Sequence, residues 1–189
     1  MILKKGIVTI ALFLFSCCQV YTQIDWAAYG LNANMDASVF VPALKMNAFF
    51  SGNSITYVSA DGTLSENALA SYGGLPNGWQ RSSAAVKWDD NTVMLFNGFN
   101  YAVFDLNEAT ITFRGPFPDI PETTEAAVEF GTTQLLFFTG GATFVIYDKE
   151  SNSVSEPQSL KDYGTWEMAS VEAALNPLDG YIYLFGQGA

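Results

Sequence analysis

From residue 35 onward the apolar positions fall in short runs broken by turn residues, and no long stretch keeps helical spacing. Four of these runs end in phenylalanine: Ala48-Phe49-Phe50, Val93-Met94-Leu95-Phe96, Leu135-Leu136-Phe137-Phe138 and Tyr181-Ile182-Tyr183-Leu184-Phe185. Before each stands an acidic or small residue, then small residues, then an aliphatic: Met35-Asp36-Ala37-Ser38-Val39, Ser83-Ala84-Ala85-Val86, Glu125-Ala126-Ala127-Val128 and Glu172-Ala173-Ala174-Leu175. Val39, Val86, Val128 and Leu175 lie 47, 42 and 47 residues apart, and Phe50, Phe96, Phe138 and Phe185 lie 46, 42 and 47 apart. Two independent landmarks keep one period, which marks a repeat architecture.

Within each period the pattern predicts three or four strands. Tyr101-Ala102-Val103-Phe104 and Thr143-Phe144-Val145-Ile146-Tyr147 have strand composition, and Asp61-Gly62, Asp89-Asp90-Asn91, Asn97-Gly98, Gly140-Gly141 and Asp179-Gly180 supply turns. Ser65 to Ser71 and Gln158 to Tyr163 fit short helical turns. One small sheet cannot bury both faces, so a period of hairpins in the forties predicts propeller blades stacked on one another. The aliphatic landmarks then sit on the innermost strands, and the phenylalanines sit in the core between blades.

The second repeat carries a resemblance to hemopexin repeats. It runs Ser83-Ala84-Ala85-Val86-Lys87-Trp88, a turn, then Val93 to Asp105 through Asn97-Gly98-Phe99 and Tyr101, and leaves by Gly115-Pro116-Phe117-Pro118-Asp119-Ile120-Pro121. Gly74-Leu75-Pro76 gives the same link after the first repeat. The resemblance covers roughly Ala33 to the C-terminus and implies an all-β, hemopexin-like four-bladed β-propeller. Some positions depart from it: Gln187 stands where Gly is expected, the third repeat has an extra residue after Gly140, and the cysteine pair joining first and last blades in many members is missing. Gly140-Gly141 with Tyr147-Asp148 is similar to a kelch repeat, but the Gly pair does not recur in the other repeats.

The pattern divides the chain into a targeting segment 1–22, a lead-in 23–34, and repeats at about 35–82, 83–124, 125–171 and 172–189. Fifteen residues, Leu175 to Ala189, run from the fourth aliphatic landmark onward. Three complete blades and a truncated fourth are expected, with a ring that does not close. Open sheet edges of that kind invite self-association. Ile24 to Tyr29 is one candidate for a strand that returns to the fourth blade.

The N-terminus changes the compartment. Lys4-Lys5 followed by the apolar run Ile7 to Phe15 is too short to span a bilayer and matches a signal-peptide core, so export is expected. Val20 and Thr22 suit cleavage before Gln23, whereas Leu14-Phe15-Ser16-Cys17 loosely resembles a lipobox; soluble release is the favoured reading. Cys17 and Cys18 both fall in or beside this segment, so the mature domain has no disulfide or thiol site.

Charge and residue inventory then narrow the chemistry. Without Lys4 and Lys5 the chain keeps 6 basic against 19 acidic residues, a formal charge of −13 that disfavours nucleic acid and anionic membranes. There is no histidine, which argues against imidazole-ligated haem and against most metal, redox and nucleophilic catalysis. Carboxylate chemistry alone remains open to an enzyme, and no privileged carboxylate pair stands out. A non-catalytic interaction module facing a protein, glycan or matrix partner is the favoured function. The alternatives are small-molecule or ion scavenging and, third, a carboxylate-based glycan hydrolase.

Two sets of site residues follow. The resemblance implies rings of backbone carbonyls about a central channel holding calcium or sodium: those of Asp36, Ser83, Glu125 and Glu172, and one layer further in those of Ser38, Ala85, Ala127 and Ala174. Hard oxygen donors suit calcium. For a partner surface, Tyr29, Tyr72, Phe117 and Tyr163 lie in or near the links and are the aromatic candidates for exposure.

Overall fold

The structure, a computed structural model, describes residues 10–11, 35–164 and 168–186. The expected targeting segment apart from residues 10–11 and the lead-in with Tyr29 lie outside them. The described residues form four antiparallel sheets and no α-helix. After β1 (Ile10–Ala11), the first sheet is β2 (Ala37–Val41), β3 (Met46–Ser51), β4 (Ser54–Ser59) and β5 (Leu64–Ala68), paired in that order. The second is β6 (Ala84–Asp89), β7 (Thr92–Asn97), β8 (Asn100–Asp105) and β9 (Thr110–Pro116). In the third, β10 (Ala126–Phe130), β11 (Gln134–Thr139) and β12 (Thr143–Asp148) are followed by β13 (Ser153–Val154) and β14 (Gln158–Ser159), both paired with β12. The fourth is β15 (Ala173–Leu175) beside β16 (Tyr183–Phe185), whose outer edge pairs with β1. The expected helical turns are 3-10 turns at Leu69–Tyr72 and Leu160–Tyr163.

Val39, Val86, Val128 and Leu175 lie on β2, β6, β10 and β15, the first repeat-derived strand of each sheet, and all four are buried. Each of these strands neighbours the next, and β15 neighbours β2 as well as β10. An unclosed ring was the sequence expectation; the first strands instead complete a circuit, because the fourth needs only the three residues Ala173–Leu175 to occupy its place. The strand paired to β16 is β1, from the run read as a targeting core, while Ile24 to Tyr29 lies outside the described residues.

Four apolar clusters sit between successive sheets, and the landmark phenylalanines are distributed among them in order. Phe50 packs between the first and second sheets, Phe96 between the second and third, Phe138 between the third and fourth, and Phe185 between the fourth and first. Each is nearly fully buried, and burying such a ring stabilises the fold by about 2–3 kcal/mol. At the junction of last and first sheets, Phe49, Val58 and Leu175 join Phe185, and Ser38 Oγ donates to the Ala174 carbonyl at 2.9 Å. No helix among the described residues is long and apolar enough to cross a membrane.

Candidate functional site

The circuit of first strands has two ends, and each gathers polar groups. At the starting end, Asp36, Ser83, Glu125 and Glu172 stand one residue before their strands. Their N–H groups donate to the carbonyls of Phe50, Phe96, Phe138 and Phe185 at 2.9, 2.7, 2.9 and 2.7 Å. Those phenylalanines pair in the ladders with Ala37, Ala84, Ala126 and Ala173, so the same offset recurs in all four sheets. A short side chain with an acceptor then reaches the next hairpin: Asp36 Oδ2 accepts from Gly52 N at 2.6 Å, and Ser83 Oγ accepts from Gly98 N at 3.1 Å. Glycine is required at that hairpin, since Gly52 and Gly98 have φ of +54° and +61° and a Cβ on Gly98 would stand 2.9 Å from the Glu122 carbonyl. Ser83 Oγ also donates to the Thr124 carbonyl at 2.8 Å, tying the second sheet to the start of the third.

In the first two repeats these contacts account for the heading residue without a ligand. Asp36 also faces Arg81 at 3.4 Å, but the arginine is 63% exposed and the pair adds little. Glu125 differs, because its Oε2 is buried with no hydrogen-bond partner. Of the inner set, Ser38, Ala85, Ala127 and Ala174 are all buried, and the Ala174 carbonyl is already met by the Ser38 hydroxyl. Among the described residues no cluster of three or more acidic, histidine or cysteine side chains is arranged to hold a metal.

At the opposite end, a cleft of about 410 Å³ opens between the hairpins that follow β6, β10 and β15. The β6–β7 ladder slips between Lys87, opposite Val93, and Asp89, opposite Thr92, which takes Trp88 out of register. Such bulges re-aim side chains, and Lys87 and Trp88 both line the cleft. Lys149, just past β12, lies 5.1 Å from the centroid of the Trp88 ring and donates to the Trp88 carbonyl at 2.9 Å. Glu129 comes from β10 and is 6% exposed. Burial pushes its carboxyl up to about 7, against hydrogen bonds to its own main chain and that of Lys87 and against the attraction of Lys87 and Lys149. Burial likewise pulls Lys149 below the usual lysine range. Asn176, past β15, donates from Nδ2 to the Glu129 carbonyl at 3.2 Å.

Sequence reasoning missed this cleft. A signal was present in Ala126-Ala127-Val128-Glu129-Phe130, where a charge interrupts a buried strand, and in Lys87 between Val86 and Trp88. What joins them is spatial, because the residues come from three different repeats. Of the aromatic candidates, Phe117 is corrected: it is 7% exposed and packs 5.6 Å from Phe96 and 5.1 Å from Tyr147, since the Pro-rich link carries it inward between sheets. Tyr72 is half-buried, 4.7 Å from Phe104. Tyr163 is 50% exposed, and Tyr29 lies outside the described residues.

No protein-family model matches the sequence, and comparison with curated proteins finds no match. Solved structures do match. A hemopexin-fold protein from cow pea is 13% identical with a TM-score of 0.66, the match covering 81% of this chain and 82% of that one. A seed albumin from Lathyrus sativus is 16% identical with a TM-score of 0.64, covering 82% and 83%. A plant lectin with two metal-binding sites from Cicer arietinum is 16% identical with a TM-score of 0.59, covering 75% and 77%. At these identities the likeness is one of fold, and in fold this all-β, propeller-like chain of four antiparallel sheets is similar to a hemopexin-fold protein.

Proposed function

We propose that this chain is an exported, non-catalytic binding module: a hemopexin-like, four-bladed propeller with three complete blades and a short fourth. The targeting segment 1–22 precedes a lead-in 23–34 and repeats at about 35–82, 83–124, 125–171 and 172–189. The module presents one end of the blade circuit to a protein, glycan or matrix partner. The observation that carries this reading is the cleft at the far end of the first strands. In a mature chain with only 6 basic residues, two of them, Lys87 and Lys149, stand there beside a buried carboxyl and Trp88. Similarity to a lectin and to seed albumins in fold is in keeping with binding. Fold likeness by itself does not assign it.

The test is surface plasmon resonance of the immobilised full chain against matrix proteins and an array of glycans. At least one partner is expected, with affinity lowered tenfold or more by Lys87→Ala or Lys149→Ala, as for a residue central to an interface. Absence of binding throughout, or binding indifferent to both variants, overturns the reading.

A channel cation belongs to the same proposal. The carbonyls of Asp36, Ser83, Glu125 and Glu172 are the outer donor set and those of Ser38, Ala85, Ala127 and Ala174 the inner one. The orphaned Glu125 Oε2 favours the outer set, and the Ser38 hydroxyl on Ala174 disfavours the inner. Calcium or sodium would supply a structural charge bridging the blades. Calorimetric calcium titration should show binding that Glu125→Gln weakens only a few-fold, since the main-chain donors survive. No binding removes the cation, and a large loss in Glu125→Gln alone assigns the ligand to its carboxylate instead.

A further inference from the structure

The charged cleft is one lobe of a longer groove. A second cavity of about 380 Å³ shares Gly131, Asn176 and Leu178 with it and continues along Phe130, Tyr181 and Ile182. We infer that this groove binds a neutral saccharide, with its hydroxyls in the charged lobe between Lys87 and Glu129 and an apolar ring face against Leu178 and Tyr181. The inference rests on the binding-module reading and names the ligand class of its site.

The charged lobe carries both signs at close quarters and leaves its buried carboxyl outside the ion pair that forms there. Lys87 reaches Asp90 at 3.6 Å and Lys149 reaches the Trp88 carbonyl at 2.9 Å, and neither ammonium closes on Glu129. Asp89 and Asp90 stand at the exposed rim. An anionic ligand that suits the lysines meets three carboxyl groups, and a cationic one meets two ammonium groups. A hydroxyl both donates and accepts, so a vicinal pair can donate a hydrogen bond to Glu129 and accept one from Lys87 at once. The mature charge of −13 works against acidic sugars in the same way.

The apolar lobe presents an exposed leucine on a left-handed turn. Leu178 is 58% exposed and holds φ of +65°, in the left-handed region that a leucine rarely adopts. Asn176 keeps it there, its Oδ1 accepting from Leu178 N at 3.0 Å while its Nδ2 ties to the Glu129 strand at 3.2 Å. Strain of this kind costs about 1–3 kcal/mol and gathers at ligand clamps. Here it holds an apolar side chain on the lip between the two lobes, next to the glycines Gly131 and Gly180 that leave room for a ring. A sugar has the matching shape, with hydroxyls around its edge and C–H groups on its face.

The experiment is amide-shift titration of the full chain with cellobiose, lactose, maltose and chitobiose, alongside a heparin disaccharide and the dipeptide Gly-Phe. At least one neutral disaccharide should shift the amides of Lys87 to Asp90, Glu129 to Thr132 and Leu178 to Gly180 together. Lys87→Met should weaken that binding tenfold or more. Leu178→Gly relieves the left-handed strain, so it should leave the melting temperature equal or higher while weakening binding about fivefold. Titrating the best sugar both free and linker-immobilised separates a soluble sugar from a carried glycan; retention of either form supports the site. The inference is overturned if no neutral disaccharide shifts these amides, if shifts map to the other end, or if the heparin disaccharide or Gly-Phe alone occupies the groove. Should a matrix protein still bind in a Lys87-dependent way, the module reading stands without it; loss of both removes both.

Discussion

Replacing Glu129 with glutamine should leave stability nearly unchanged at pH 4 and raise it by up to about 3 kcal/mol at pH 8. Burial lifts this carboxyl from the usual 4.5 to about 7 in the folded chain. Between those values the folded state holds a proton that the unfolded state has released, so stability is fully present below pH 4.5 and is lost as pH rises through 7. The charges facing Glu129 are Lys87 on β6 and Lys149 past β12, with Asp89 acting on Lys149; the two ammonium groups already temper the shift. Glutamine keeps the shape and an acceptor for main-chain N–H groups, and it cannot ionise. Urea unfolding of both proteins at pH 4, 6 and 8 reads the difference, in which titration of the other carboxylates largely cancels. Parallel stability curves from pH 4 to 8 would show that Glu129 is solvated.

Gly74→Ala should cost about 4 kcal/mol, enough to unfold a marginal domain near body temperature. Gly74 lies in the link from the first sheet to the second, which crosses directly over β9. A Cβ there would stand 1.5 Å from the Ile111 carbonyl oxygen, and φ is +72°. Main chain cannot give way as the end of a flexible side chain can. Gly73 is the matched control: its φ is +67° with nothing within 4 Å of an added Cβ. Gly73→Ala therefore carries the conformational strain alone, about 1–3 kcal/mol. Equal midpoints for the two variants in thermal melts would show that the link does not press on β9.

The repeat was legible because a hairpin ladder is local. Val86 pairs with Met94 and Val128 with Leu136, and partners so near in sequence leave the same apolar spacing in every repeat. The turns were legible for the same reason, as Gly52 and Gly98 must hold positive φ whatever the sheets do. The role of the residue heading each repeat was not. Asp and Ser read as a channel rim in the sequence, while in the structure they close the second hairpin of their own sheet through Gly52 N and Gly98 N.

By itself, then, the sequence determined four repeats of strands, the first strand of each, and a phenylalanine between each pair of sheets. Contacts between repeats were decided by the tertiary structure. Ser38 reaches Ala174 across 136 residues to complete the circuit. Phe117 turns inward rather than outward, and Lys87, Glu129, Lys149 and Asn176 meet in one cleft. The reason is geometric: alternation along a strand fixes which face a side chain takes, and only the rotation of one sheet on the next fixes what that face meets.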